Sequence, residues 1–310
     1  MNLICKRSVI RNGYLILALY LYSLSISMKY YFLLAALILS LTAPAQDKQG
    51  YQLYTKAGKK TTYNKLLKNA AGTDVLFFGE QHDNSLVHWL QLELTKDLAE
   101  KKPLVLGAEM IEADNQKQLN QYLAGQIDQK TFDSVARLWK NHKTDYKPLV
   151  DFAKEKHFPF VATNIPRRYA SLVYKQGFEA LDKLTPEEKT WIATLPIAYN
   201  PELPGYKEML AMAGGHGGDN LPKAQAVKDA TMGYFIAQNL KPGTIFIHYN
   251  GSYHSDGFEG INWYLKKDKP NIKIVTIATV IQKDINELDP EFINKADFIL
   301  VVDEDVTKTY

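Results

Sequence analysis

Thiols are almost absent from this chain: its 310 residues hold one cysteine, Cys5. Beyond that position a disulfide framework, a thiolate nucleophile and a Cys-ligated metal are all excluded. An excess of charge is lacking too. The formal net charge is +3, but Lys6, Arg7, Arg11 and Lys29 are the only charged residues before Gln46, and the remainder carries −1. So near-neutral a body has no electrostatic footprint for nucleic acid. There is no internal repeat and no low-complexity tract, which sets aside solenoids and disordered tails. With 46% hydrophobic and 23% charged residues, the composition is that of a globular protein with a buried core.

Long hydrophobic runs are missing as well. Tyr14–Ile26 and Tyr30–Leu41 are apolar, yet each is shorter than the roughly 20 residues of a spanning helix, and Lys29 divides them. Lys29, the run after it and Ala43-Pro44-Ala45 match instead a basic n-region, an h-region and an A-x-A cleavage site. The expectation is a leader over 1–45, with Met28 as its start and cleavage after Ala45, and an exported, periplasmic product. No cysteine follows the leader, so no lipid anchor is expected. Residues 46–310 are long enough for one large domain.

What the chain does have is six strand-like apolar runs: 74–78, 104–108, 158–162, 244–249, 272–280 and 298–302. They alternate with helical patterns. Leu86, Leu90, Leu94 and Leu98 recur at i+4 and predict a helix from Ser85 to Glu100, capped by Asn84 or Ser85. Strand, helix and strand in this order form a right-handed βαβ unit. The fold expected is α/β, a mostly parallel sheet flanked by helices, with inserts at about 113–156 and 168–240 forming a helical subdomain over the carboxyl-end loops. Thr185-Pro186-Glu187-Glu188 predicts a helix start, Pro196, Pro201 and Pro204 predict breaks, and 214–218 a flexible glycine-rich loop. Residues 46–71 read as a polar, basic lead-in segment with room for one short strand.

Ligands of open α/β sheets bind outside the carboxyl ends of the strands, and polar groups collect there. Glu80 and His82 follow the first run, two apart, so an extended chain points both side chains the same way. That pair suits a divalent metal or a general acid–base couple; the plainer role for Glu80 is to cap the next helix. Glu109 ends the second run, where a buried carboxylate needs a partner, with Arg167 or Arg168 the plain choice. His254 closes Gly251-Ser252-Tyr253-His254, a second G-x-x-H after a strand, the first being Gly79-Glu80-Gln81-His82. His248 alternates with Phe246 and Asn250 and reads as a hydrogen-bonded core histidine. His216, in its glycine-rich loop, suits a ligand presented on closure. Arg167 and Arg168 after Pro166 suit a carboxylate or a porphyrin propionate. Tyr199, Tyr206 and Tyr253 lie near the expected mouth, while Trp191, Met209 and Met212 line either an apolar slot or ordinary helical core. His88, His142 and His157 carry no expected role.

Gly79–Asn84, the strand ending in Glu109, Ala162–Arg167, Ala224–Met232 and Gly251–His254, in that order, resemble the ChaN-like haem-binding uptake proteins. These sit in a wider superfamily with Tiki metalloproteases, TraB proteins and erythromycin esterases. The resemblance implies haem held at a dimer interface, a tyrosine on the iron and basic or histidine groups near the propionates. It also implies an outer-membrane uptake receptor as a partner. For the Tiki branch it implies divalent-metal hydrolysis (Mn, Co or Zn), carried onto His82, Glu109 and His254.

Two readings therefore stand side by side. One is an exported haem- or iron-binding protein using Asn164, Arg167, Arg168, His216 and Tyr253 around its ligand. The other is a metal-dependent hydrolase in which His82, Glu109 and His254 hold the metal and Glu80 takes the proton. The same carboxylate–imidazole group serves both.

Overall fold

The computed structural model describes residues 48–214 and 218–310; the expected leader and His216 lie outside them. No helix among the described residues is long and apolar enough to cross a membrane. The strands are β1 (Tyr51–Thr55), β2 (Lys60–Thr61), β3 (Val75–Glu80), β4 (Leu104–Glu112), β5 (Phe160–Asn164), β6 (Ile245–Gly251), β7 (Ile274–Gln282) and β8 (Phe298–Asp303). They form one sheet in the order β2-β1-β8-β7-β3-β6-β4-β5. The six strands from β8 to β5 are parallel. β1 and β2 add an antiparallel edge. The fold is thus α/β with a mostly parallel sheet, as expected from the sequence.

Every residue of β3 is buried, because helices cover both faces of the sheet and the side chains alternate between them. Leu76 and Phe78 join the cluster that includes Leu90, Leu94 and Leu98 of α2 (Ser85–Ala99). Val75 and Phe77 face the other way, into the cluster with Met232 and Ile236 of α8 (Asn220–Asn239) and Ile261 and Leu265 of α9 (Ile261–Asp268). Each such side chain contributes roughly 1.5–3 kcal/mol by leaving water. The α2 cap is Asn84, whose side chain accepts from the Val87 N–H at 3.1 Å. Glu80 does not cap this helix.

The first insert holds α3 (Gln116–Leu123), α4 (Gln129–Val135), a π-helical turn (His142–Tyr146) and α5 (Lys147–Lys156). The second holds α6 (Arg167–Gln176), α7 (Pro204–Met212) and α8, with a cluster of its own built on Tyr169, Val173, Ile192, Val227 and Tyr264. Two expectations are corrected here. The capping box at Thr185 forms, with Glu188 N–H on Thr185 Oγ1 at 3.2 Å and Thr185 N–H on Glu188 Oε2 at 2.8 Å. Yet only one 3-10 turn, Glu188–Trp191, follows it, since Ile192 and Ala193 are drawn down into the core. Pro204 does not break a helix; it opens α7, where its missing N–H costs nothing. The lead-in is also richer than expected: β1, β2 and α1 (Tyr63–Ala70).

The strand order is what assembles the candidate site. β6 arrives late in the chain and inserts between β3 and β4, so the carboxyl ends of these three strands lie side by side. Glu80 pairs in register with Gly251, and Ala108 with Tyr249. β4 shifts register against β5 between Ala108 and Glu112. Such an irregularity re-aims side chains at a strand end, here at Glu109.

Candidate functional site

Glu80 is buried at the end of β3 and accepts three hydrogen bonds. Tyr146 Oη donates to Oε1 at 2.7 Å, Gln91 Nε2 to Oε2 at 2.5 Å, and His82 Nδ1 lies 2.8 Å from Oε1. A carboxylate on Nδ1 fixes the imidazole so that Nε2 points away from it. Among the described residues His82 Nε2 has no hydrogen-bond partner, and its side chain is 31% exposed. The ring stands edge-on to Trp139, with centroids 4.8 Å apart. His82 O is held by His88 Nε2 and Asn141 Nδ2, each at 3.0 Å.

Across from it, Glu109 Oε2 accepts the Gly251 N–H at 2.7 Å and Oε1 lies 3.3 Å from His254 Nε2. His254 Nδ1 meets Asp229 Oδ1 at 2.5 Å, so one buried imidazole bridges two buried carboxylates. The plain expectation that Glu109 pairs with Arg167 or Arg168 is therefore corrected: its partners are His254 and a backbone amide. Gly251 lies between the two halves of the site. A Cβ there would be 2.8 Å from His82 Nε2 and 3.6 Å from Glu109 Oε2. Only glycine leaves this space open.

Electrostatics follow from these contacts. Burial pulls His254 down, but the charges of Glu109 and Asp229 outweigh it and push its pKa up to about 10. Burial alone would raise Glu109; the His254 charge and hydrogen bond, His82 and the Gly251 amide win and hold it well below the usual carboxylate range. Asp229 goes the other way, because complete burial outweighs what His254 and Tyr206 supply. For His82, burial lowers the pKa but the hydrogen bond to Glu80 and the charges of Glu109 and Glu80 leave it raised. Both His254 nitrogens lie against carboxylates, and no group of three or more His, Asp or Glu among the described residues could hold a metal ion. The divalent-metal alternative finds no donor set here.

Beside Glu109 a cavity of about 500 Å³ opens at the ends of β4 and β5. Leu138, Trp139, Ile165 and Ala170 give it an apolar wall, and its charged lining is mixed: Arg137, Lys140, Arg167 and Lys228 stand with the carboxylates of Glu109 and Glu112, Arg137 lying 3.7 Å from Glu112. Asn164 lines it too: Nδ2 donates to Glu109 O at 2.9 Å, while Oδ1 is buried without a partner among the described residues. A larger cavity, about 600 Å³ and lined by Phe160, Trp191 and Phe235, touches none of Glu80, His82, Glu109 or His254.

The structure therefore gathers Glu80, His82, Glu109 and His254 around Gly251, with Asn164 and Arg167 on the adjoining cavity. Two expected residues, Arg168 and Tyr253, are not at this cavity. Arg168 pairs with Asp114 Oδ2 at 2.5 Å and stacks over Tyr169, because Asp114 offers the nearer carboxylate. Tyr253 is 40% exposed, but its hydroxyl is spent on Gly205 O. His216 lies outside the described residues. Tyr206 is buried on Asp229, with Tyr199 stacked against it, and Met212 is exposed. His248 is the expected core histidine, bonded to Thr163 and Asn250. Sequence reasoning missed Asp229, Gln91 and Tyr146. Gln91 left a signal, falling with His88 and Thr95 on a buried polar strip beside the leucine stripe of α2, and Asp229 lies inside the Ala224–Met232 segment that carries the resemblance, though no role was expected of it.

Comparison with known proteins gives a consistent result. A sequence profile described as haem-binding uptake, Tiki superfamily, ChaN matches residues 66–265. No curated protein matches significantly. Among solved structures, ChaN of Campylobacter jejuni, studied for cofacial haem binding, has a TM-score of 0.62 at 17% identity, covering 84% of this chain and 99% of that one. The type III effector HopBA1 (TM-score 0.46, 10% identity, 77% and 92% coverage) is a more distant likeness. So is a succinoglycan biosynthesis protein (0.45, 12%, 82% and 94%), and neither carries weight.

Proposed function

The chain belongs to the ChaN family of haem-binding uptake proteins in the Tiki superfamily, and from that membership we propose that it is an exported haem-binding accessory of haem or iron uptake. The ligand occupies the cavity at the ends of β4 and β5. What supports this is the make-up of the cavity. A porphyrin needs an apolar slot with cations at its margin for two propionates, and Trp139, Leu138 and Ile165 with Arg167, Lys228 and Lys140 meet that description. The arrangement fits the group. Bound there, haem would supply an iron centre, while Trp139, Leu138 and Ile165 would hold the ring out of water and Arg167, Lys228 and Lys140 would balance the propionate charge.

The test is a haemin titration of protein recovered from the periplasm, whose mass also shows whether the chain begins at Gln46. A saturable Soret shift is expected. Arg167→Ala and Lys228→Ala each remove a charge-assisted contact of roughly 1.5 kcal/mol, about tenfold in Kd. Unchanged affinity in both variants counts against this cavity, and no saturable shift in the parent protein counts against haem.

A further inference from the structure

The two edges of the sheet are finished differently. β2 is two residues long and carries an exposed lysine, Lys60, and both features discourage the addition of a further strand. β5, at the opposite edge, is five residues long and has no charged side chain. Leu106 N–H donates to Pro159 O at 2.9 Å. By the alternation of a parallel ladder, the N–H and C=O groups of Phe160 and Ala162 therefore face away from β4.

Among the described residues no strand meets these groups, but one side chain does. Gln116 Nε2 donates to Phe160 O at 3.0 Å, and Gln116 Oε1 accepts the Ala162 N–H at 2.7 Å. A single residue of a neighbouring parallel strand makes the same pair of bonds, to the C=O of one residue and the N–H two positions on. The Gln116 carboxamide thus stands in for one residue of a ninth strand. Its further contact is with the exposed Asn120, Nε2 to Oδ1 at 2.8 Å. Rotation of this side chain is all that frees the edge.

The 600 Å³ cavity runs along the same edge and shares no lining residue with the cavity assigned to haem. Gln118 and Asn120 of α3 line it, as do Trp191 of the 3-10 turn and Phe235 of α8, both half-buried. Gln118 Oε1 is buried there without a partner among the described residues. Strand addition combines main-chain bonds at an edge with pockets for alternate side chains, and this groove offers both.

We propose that the groove binds an extended peptide segment, added as a parallel strand beside β5. Gln116 yields its two bonds to the incoming main chain, and Trp191 and Phe235 receive apolar side chains. The exchange conserves hydrogen bonds, because the peptide takes over both β5 groups and the Gln116 amide passes to water and Asn120.

Fluorescence polarisation of the full chain, without haemin, tests this with a fluorescein-labelled octapeptide of alternating Val and Thr. Saturable binding is expected, about fivefold tighter in Gln116→Ala, whose edge is unoccupied, and about fivefold weaker in Trp191→Ala. The same octapeptide N-methylated at every residue has no main-chain donor and is expected not to bind. Absence of saturable binding to both the parent protein and Gln116→Ala overturns the proposal. So does equal binding of the N-methylated peptide, or an affinity that Trp191→Ala leaves unchanged. A Gln116→Ala variant that dimerises in sedimentation velocity and refuses the peptide also overturns it, making a second copy the occupant. Should that variant not fold, the two peptides on the parent protein decide alone.

Discussion

Gly251 is where the site is most sensitive to a single atom. It donates its N–H to Glu109 and stands against the open nitrogen of His82, whose other nitrogen is tied to Glu80. The ring cannot easily retreat, because Trp139 stands edge-on to it. Gly251→Ala should therefore displace His82 and destabilise the protein by about 1–3 kcal/mol, the cost of overpacking a tight site. Urea denaturation measures it, and a variant as stable as the parent would mean the close approach is absent. At this scale much was legible. His82, Glu109 and His254 each end a strand-like run, and polar residues in such places need a reason. The pairing of Asp229 with His254 was not legible, although Asp229 lies in the Ala224–Met232 segment that carries the resemblance. It lies mid-helix among Ala226, Val227 and Ala230, 25 positions before its partner His254, and only the docking of α8 brings them together.

Among the elements, the π-helical turn His142–Tyr146 contributes most to the site for its length. It delivers Tyr146 to Glu80 and Asp145 to Thr309, and single π-turns recur at functional sites. Its first residue, His142, is buried with Nε2 unpartnered among the described residues, and burial pulls its pKa down to about 4. The folded value lies below the unfolded value of about 6.5. The stability it contributes is therefore complete above pH 6.5 and is lost as the pH falls through 4, on the order of 3 kcal/mol in all. Melting temperatures across that window should fall less steeply in His142→Phe than in the parent protein; parallel curves would show that His142 is not the titrating group. Nothing in the sequence marked this turn, since its residues fit an ordinary helix start. The parallel strands were legible because burial on both faces makes them continuously apolar. β1 was legible only as a possible short strand, because next to the antiparallel edge it buries just Leu53 and Tyr54. The capping box at Thr185 teaches the converse lesson: its local bonds form, yet core packing of Ile192 ends the helix after one turn.

For the whole molecule, strand order is the decisive fact. A chain that placed β6 at an edge would have the same motifs and no shared site. Inserting it between β3 and β4 joins two G-x-x-H loops to Glu109, and the stretch of β4 that shifts register contributes Glu109 and Glu112 to the adjoining cavity. The sequence supplied the motifs and their order, but pairing between distant strands cannot be read from local patterns. The division between site and cavity is likewise a property of the assembled fold: the imidazole–carboxylate cluster is internally satisfied except at His82, while the cations and apolar wall lie next to it. The most direct test of the central claim is the position of iron in crystals of the full chain grown with haemin, read from anomalous diffraction. The account predicts an iron peak within the cavity bounded by Trp139, Arg167, Lys228 and Tyr310, whereas a peak between His82 and His254 over Gly251, or on a surface away from both, would contradict it.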